Sequence, residues 1–261
     1  MNRKPVACPE YYPNTFEKVD KAINNAFTDK KGPGTHPSSR RSVDLGLLSV
    51  PCDKIENVGP CLAWGYMEVA EKNFPKAYII IGTNNHSSTK FSTYLFADWE
   101  TPLGIVKVNQ NLGKKLSELF PQLTNEHTAH ENEHSIEIQL PWLQFASRDK
   151  LSELSFIPVS INIATLKEIK SFAEKLSLFM KENNLPIIAS CNIDDSATLQ
   201  YVNSEDTEAL INYKKRKMVD IKNIAPLLVL MEVAKLQNKK PVTLNSQSIN
   251  KSSFNGCINF R

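Results

Sequence analysis

Two rhythms of apolar and polar residues run along this chain, and the points where one gives way to the other mark out its elements. Phe16, Val19, Ile23 and Phe27 recur at the step of one helix face, with Asn14 or Thr15 placed to cap its start. "KKGPGTHPSSRR" (30–41) reads as a loop by composition. Residues 43–51 read as a strand ending at Pro51, and residues 59–74 as a helix with Pro60 near its first turn. "AYIIIGTNNH" (77–86) is a continuous apolar run ending in polar residues, the pattern of a strand buried on both faces. "FSTYLFADWETPLGIVKV" (91–108) predicts two strands joined by a loop at 99–103, and residues 109–120 and 136–146 predict helices.

The second half repeats this order. Residues 154–161 read as a strand and 165–184 as an amphipathic helix closed by Asn183 and Asn184. Residues 185–194 read as a strand ending in polar residues. Helices follow at 205–218 and 220–238, the second with Pro226 near its start, and short strands at 241–249 and 252–260. The alternation predicts an α/β fold, a single domain over residues 1–261 with three layers, α/β/α, around a central, mostly parallel (mixed) sheet. No internal repeat, low-complexity linker or break in composition divides it.

Composition narrows the classes of function. The chain has 261 residues, 41% hydrophobic and 23% charged, enough to bury a sizeable core. Its 31 basic and 28 acidic residues are spread along the chain, so nucleic acid is not an expected partner. The one tight basic run, "NYKKRK" (212–217), reads as the wet face of a helix. The five cysteines, Cys8, Cys52, Cys61, Cys191 and Cys257, form no CxxC, which argues against a zinc ribbon or disulfide framework and for a reducing, cytoplasmic location. No secretion signal and no run near the length of a membrane span is visible, so no membrane association is expected.

In folds of this class, ligands sit beyond the carboxyl ends of the strands. Three predicted strand ends carry chemistry: Cys52 and Asp53; Asn85 and His86; Cys191 and Asp194. Each has a plainer reading. Cys52 is a thiolate ligand or nucleophile, or a small buried hydrophobe. His86 is a metal ligand or proton shuttle, or a loop histidine bonded to a carbonyl. Cys191 and Asp194 share a cation, or form a strand-to-helix turn capped by Asp194 or Asp195. "HENEHSIE" (130–137) places His130, Glu133 and His134 as a candidate acid–base group. Its plainer reading is a helix start whose apolar face is Ile136, Leu140 and Leu143.

"AHENEHSIEIQLPWLQF" resembles the signature of the Memo-like family, also called component B of the AmmeMemoRadiSam system, through Glu133-His134-Ser135, Glu137, Leu140-Pro141 and Trp142-Leu143-Gln144, with His130 four before His134. Tyr11-Tyr12-Pro13, then Gly59, Pro60, Ala63 and Tyr66, then "IIIGTNNH", then Thr101 to Gly104, then "GCINF" are similar to further family segments in the same order. The resemblance implies the fold of the class III extradiol dioxygenases.

It also implies a metal site that this chain has rewritten. The family's ligand positions fall on Cys52, Asn85 and Lys222, and its Ser-Asp-x-x-His motif reads "SCNID", with Cys191 for Asp and Asp194 for His. Asn is a poor transition-metal ligand and a protonated lysine repels a cation. The first expectation is therefore a binding or scaffold protein with a degenerate metal site, no favoured cofactor and a protein as its partner. Relatives are linked to redox signalling or to radical-SAM partners. The alternative is a metal-dependent oxidoreductase holding iron, copper or zinc on Cys52, His86, Cys191 and Asp194, with His134 as acid–base. A third reading is a metal-free hydrolase or lyase using Cys52 and His134. Oligomeric state is not set by the sequence.

Overall fold

The structure, a computed structural model, describes residues 2–250 and 253–261. The first half runs α1 (Phe16–Thr28), β1 (Leu47–Val50), α2 (Ile55–Glu71), β2 (Tyr78–Thr83), β3 (Phe91–Thr93), β4 (Trp99–Thr101), β5 (Gly104–Val108), α3 (Gln110–Leu119), β6 (Leu123–Asn125) and the single turn α4 (Thr128–Glu131). The second half runs α5 (Leu140–Ala146), β7 (Ser155–Ile161), α6 (Leu166–Asn183), β8 (Ile187–Ser190), α7 (Ser196–Asn203), α8 (Thr207–Arg216), α9 (Ala225–Leu236), β9 (Pro241–Asn250) and β10 (Ser253–Phe260).

Among the described residues the strands join in one sheet, in the order β4-β5-β7-β2-β8-β1-β10-β9, with β3 pairing β6 and β7 beside this path. Its central run, β5-β7-β2-β8-β1, is parallel. Antiparallel pairs close both ends, β4 on β5 and β10 between β1 and β9. The fold is thus α/β with a mixed, mostly parallel central sheet. Along β2 alternate residues leave opposite faces, as the pleat requires. Ile79 and Ile81 pack with α6 and α9 through Phe172, Leu176, Leu227 and Leu230. Tyr78 and Ile80 pack with α1, α2 and α5 through Ile23, Leu62 and Leu143. Both faces of the sheet are therefore covered. Burying each such side chain contributes ~1.5–3 kcal/mol.

Several expectations need correction. Thr15 is the residue before α1, but neither it nor Asn14 caps the helix through its side chain. The first strand is only Leu47–Val50; of the residues before it, Gly46 reaches the sheet through its carbonyl, which accepts the Ile187 N–H at 3.0 Å. Helix α2 starts at Ile55, so Pro60 lies inside it, and the buried face from Val58 to Val69 outweighs the lost backbone bond. Residues 91–108 form three strands, with Trp99–Thr101 itself paired to β5 across a tight turn that needs Gly104 at φ 118°. The segment 136–146 begins as a 3₁₀ turn (Glu137–Gln139) before α5, and the predicted helix 220–238 likewise splits into a 3₁₀ turn (Ile221–Ile224) and α9. The terminal strands are long rather than short, and Ser252 lies outside the described residues. Helix α6 conforms closely: Thr165 and Glu168 form its capping box, and Asn184 closes it in the left-handed conformation.

Candidate functional site

The carboxyl ends of β1, β2 and β8 open on one cavity of about 430 Å³. Cys52 and Asp53 line it beyond β1; Thr83 and Asn85 at β2; Ser190, Cys191, Asn192 and Asp194 at β8. Tyr11 and His134 form a further wall, and Val219, Asn223 and Ile224 complete it. The three strand ends singled out in the sequence are therefore brought together.

The ends of β1 and β8 are clamped by one amide. Asn192 Oδ1 accepts the Cys52 N–H (2.8 Å), and Asn192 Nδ2 donates to the Cys52 carbonyl (2.9 Å). Beneath them, Gln139 Nε2 donates to the Pro51 carbonyl (3.0 Å) and to Ser190 Oγ (2.8 Å), while Tyr66 OH donates to Gln139 Oε1 (3.0 Å). Ser190 Oγ donates to the Ser135 carbonyl (2.6 Å), tying in the loop that carries His134. Each buried polar group here has a partner, which makes this floor rigid.

Glu133 is the hub of the opposite wall. It is wholly buried. Its Oε1 accepts the N–H groups of His134 (3.1 Å) and Ser135 (2.9 Å), and its Oε2 accepts Asn85 Nδ2 (2.9 Å). Two imidazoles flank it, His86 Nε2 at 3.7 Å from Oε2 and His134 Nδ1 at 3.7 Å from Oε1. Those separations are too long for hydrogen bonds, so neither ring is bonded to the carboxylate. The His134 ring stacks on Tyr11 with centroids 4.2 Å apart. Gly82 lets this loop approach: a Cβ there would run into Ser135 Oγ and come within 2.7 Å of Ile136 Cγ1.

The thiols are held neutral. Cys52 shows part of its surface, yet protein packed around its sulfur pushes its pKa well above the ordinary thiol range. Burial pushes Cys191 up to about 12, against its hydrogen bond with Ser49.

Three of the expected residues lie elsewhere. His130 is not a cavity residue; it is wholly buried, with Nε2 at 3.2 Å from Ser92 Oγ and 3.3 Å from Ser160 Oγ. Burial and the Arg3 guanidinium push its pKa down to about 3, so the ring is neutral and stores no usable proton at neutral pH. His86 reaches Glu133 from outside the cavity. Lys222 is partly exposed, 3.4 Å from Asp220, while its neighbours Asn223 and Ile224 face the cavity.

The basic run 212–217 is not all wet. Lys214 has no exposed surface, and its Nζ meets Asp194 Oδ1 and lies 3.5 Å from Asp195 Oδ2. The signal was present in the spacing: Thr207, Leu210, Ile211 and Lys214 recur on one helix face, and that face is buried. Asp195, rather than Asp194, caps α7, its Oδ1 accepting the Thr198 N–H at 2.7 Å. Burial would raise the Asp195 pKa, but the bonds from Thr198 and the Lys214 charge together hold it below the usual carboxylate range.

This donor set does not fit the metal that the sequence resemblance implies. Among the described residues, no three His, Cys, Asp or Glu side chains are placed to hold one ion. The Asn85 amide nitrogen is turned to Glu133, Lys222 is outside, and Asp194 already holds an ammonium.

Residues 3–253 match the family described as Memo-like protein. A "MEMO1 family protein" of Metallosphaera sedula is 29% identical over 261 residues, covering 94% of this chain and 91% of the relative. Another, of Sulfurisphaera tokodaii, is 27% identical and covers 100% of this chain and 99% of its own length. Among solved structures, an uncharacterized protein of Escherichia coli K12 is similar with a TM-score of 0.58 at 13% identity, covering 81% of this chain and 98% of that one, a likeness of fold alone.

Proposed function

The chain belongs to the Memo-like family, and from that premise we propose that it is a non-catalytic, binding member, one extradiol-dioxygenase-like domain whose cavity takes a small polar ligand in place of metal chemistry. One observation carries this reading: the cavity's ligand-bearing positions are committed to each other. Asn85 donates to Glu133, Cys191 Sγ is bonded to Ser49 Oγ, and Asp194 is paired with Lys214. What remains free for a ligand is a set of hydrogen-bonding groups and one stacked imidazole, His134, in a volume suited to a small molecule. His134 presents its ring to a ligand from a fixed position, stacked on Tyr11. A neutral, packed thiol is a poor nucleophile, which weighs against a hydrolase or lyase built on Cys52 and His134. All five thiols are free, in support of a cytoplasmic location. Among the described residues, no helix is long and apolar enough to cross a membrane.

Metal analysis of the purified protein, alone and as Cys52→Ala and His86→Ala, tests this. The expected result is substoichiometric metal, unchanged by either substitution. A full equivalent lost in both variants favours the oxidoreductase alternative and removes the binding reading. Alkylation at neutral pH gives a second measure: Cys52 is expected to react no faster than an ordinary free thiol, and selective rapid labelling there would restore the nucleophile.

A further inference from the structure

We propose that the end of α8 is a docking point for an acidic protein segment, with Met218 as its apolar contact and Lys215, Arg216 and Lys217 as its charge partners. This goes beyond the ligand reading above and does not depend on it. Helix α8 closes in a Schellman turn: the Met218 N–H donates to the Lys215 carbonyl and the Val219 N–H to the Lys214 carbonyl, both at 3.0 Å. The turn puts residue 218 at φ 56°, in the place glycine ordinarily takes, and a methionine is strained there. The other non-glycine residues in this region of φ, Asn184, Glu205 and Asn238, are all polar. Met218 is 95% exposed, whereas no other large apolar side chain among the described residues exceeds 59%. The side chain therefore costs the isolated molecule twice, in backbone strain and in apolar surface left in water, and it is too exposed to return either through packing. A contact made outside the chain accounts for it.

The charges beside it say what kind of contact. Lys215, Arg216 and Lys217 directly precede Met218 and are exposed. Among the described residues none of the three forms a salt bridge, although their neighbours Lys214 and Lys222 both do, with Asp194 and Asp220. Lys217 has only the Tyr213 ring, its Nζ 6.0 Å from the centroid. Cations in the last turn of a helix also complement its dipole, but that role needs no exposed methionine after them. Three unpaired cations around an apolar tip are complementary to carboxylates set around an apolar side chain. Methionine suits such a contact, because its unbranched thioether adapts to the shape it meets. Nucleic acid offers phosphates but no use for the apolar tip. Adsorption to an anionic bilayer calls for about four to eight clustered cations, more than stand here. Val219 and Asn223 line the cavity just beyond Met218, so a docked segment lies beside its mouth.

A phage-displayed library of random short peptides, selected on the full chain, is the probe. Wild type is expected to enrich acidic peptides that carry an apolar residue. A synthetic copy of the most enriched peptide is expected to bind Met218→Gly and Lys215→Gln/Arg216→Gln roughly tenfold more weakly than wild type, and to bind wild type more weakly as salt is raised. Met218→Gly is expected to melt no lower than wild type, since relief of the left-handed strain offsets the greater freedom of glycine in the unfolded chain. No enrichment on wild type, or peptides that bind Met218→Gly equally well, overturns the proposal. A Met218→Gly that melts well below wild type overturns it too, because the side chain then serves the fold. Vesicles containing phosphatidylserine are run in parallel and are expected not to adsorb the protein. Adsorption of wild type that is lost in Met218→Gly assigns the tip to a membrane and removes the protein partner.

Discussion

Mild acid is expected to weaken the fold through His130. Its ring is enclosed against Ser92, Ser160 and Trp99, and burial with the Arg3 charge puts its pKa at about 3. The unfolded chain takes up this proton near the usual ~6.5. The folded pKa lies below the unfolded one, so the contribution is complete above ~6.5 and is lost as pH falls towards 3. Within that window the slope is about 1.4 kcal/mol per pH unit. Between about pH 7.5 and about pH 5 the loss integrates to about 2 kcal/mol. Many carboxylates also titrate in acid, so the measurement must be a difference. Urea unfolding of wild type and His130→Gln at both pH values cancels the shared groups and leaves the imidazole. The variant is expected to be the less stable at the higher pH, with the gap narrowing by about 2 kcal/mol at the lower. A gap unchanged by pH would refute the neutral buried ring.

Two further outcomes follow from the same region. Glu137 is wholly buried and accepts Arg3 Nη1 (2.6 Å), the N–H groups of Val6 and Ala7 and the Tyr12 hydroxyl; Glu137→Gln strands the Arg3 charge and is expected to cost ~3–5 kcal/mol in urea unfolding, whereas a cost under ~1 kcal/mol would show the pair to be dispensable. Gly82→Ala drives a methyl group into Ser135 and Ile136 and is expected to cost ~1–3 kcal/mol; Ser135→Ala in the same chain makes room and should recover part of it, and no recovery would place the strain elsewhere.

The fold was legible where periodicity was strong and unbroken. Residues 165–184 gave α6 nearly to the residue, and residues 77–86 gave β2 with its polar end, 84–86, falling beyond the strand, because burial on both faces or on one stripe leaves a direct mark on the sequence. Residues 91–108 did not, because three-residue strands held by long-range pairing carry almost no local pattern. Of the site, the strand ends with Cys52, Asn85 and Asp194 were readable from topology. The roles of His130 and Lys214 were not, since both invert the usual rule for their residue type. A histidine beside a family signature proved to be core, and a lysine in a basic run proved to be buried. Only tertiary neighbours, Arg3 for one and Asp194 for the other, decide such cases. The helix stripe ending at Lys214 nevertheless outranked the charge run containing it.

The cavity draws its walls from Tyr11, Cys52, Asn85, His134, Asp194 and Asn223, positions scattered over most of the chain. Among the described residues, strand β1, which leads to Cys52, pairs with β8 and β10, so during synthesis it waits for residues 187–190 and again for 258–260. High sequence separation of this kind slows folding and favours late closure. The pocket is thus among the last features a growing chain can complete. A small molecule that bound only the completed pocket would therefore hold a newly made chain against reopening.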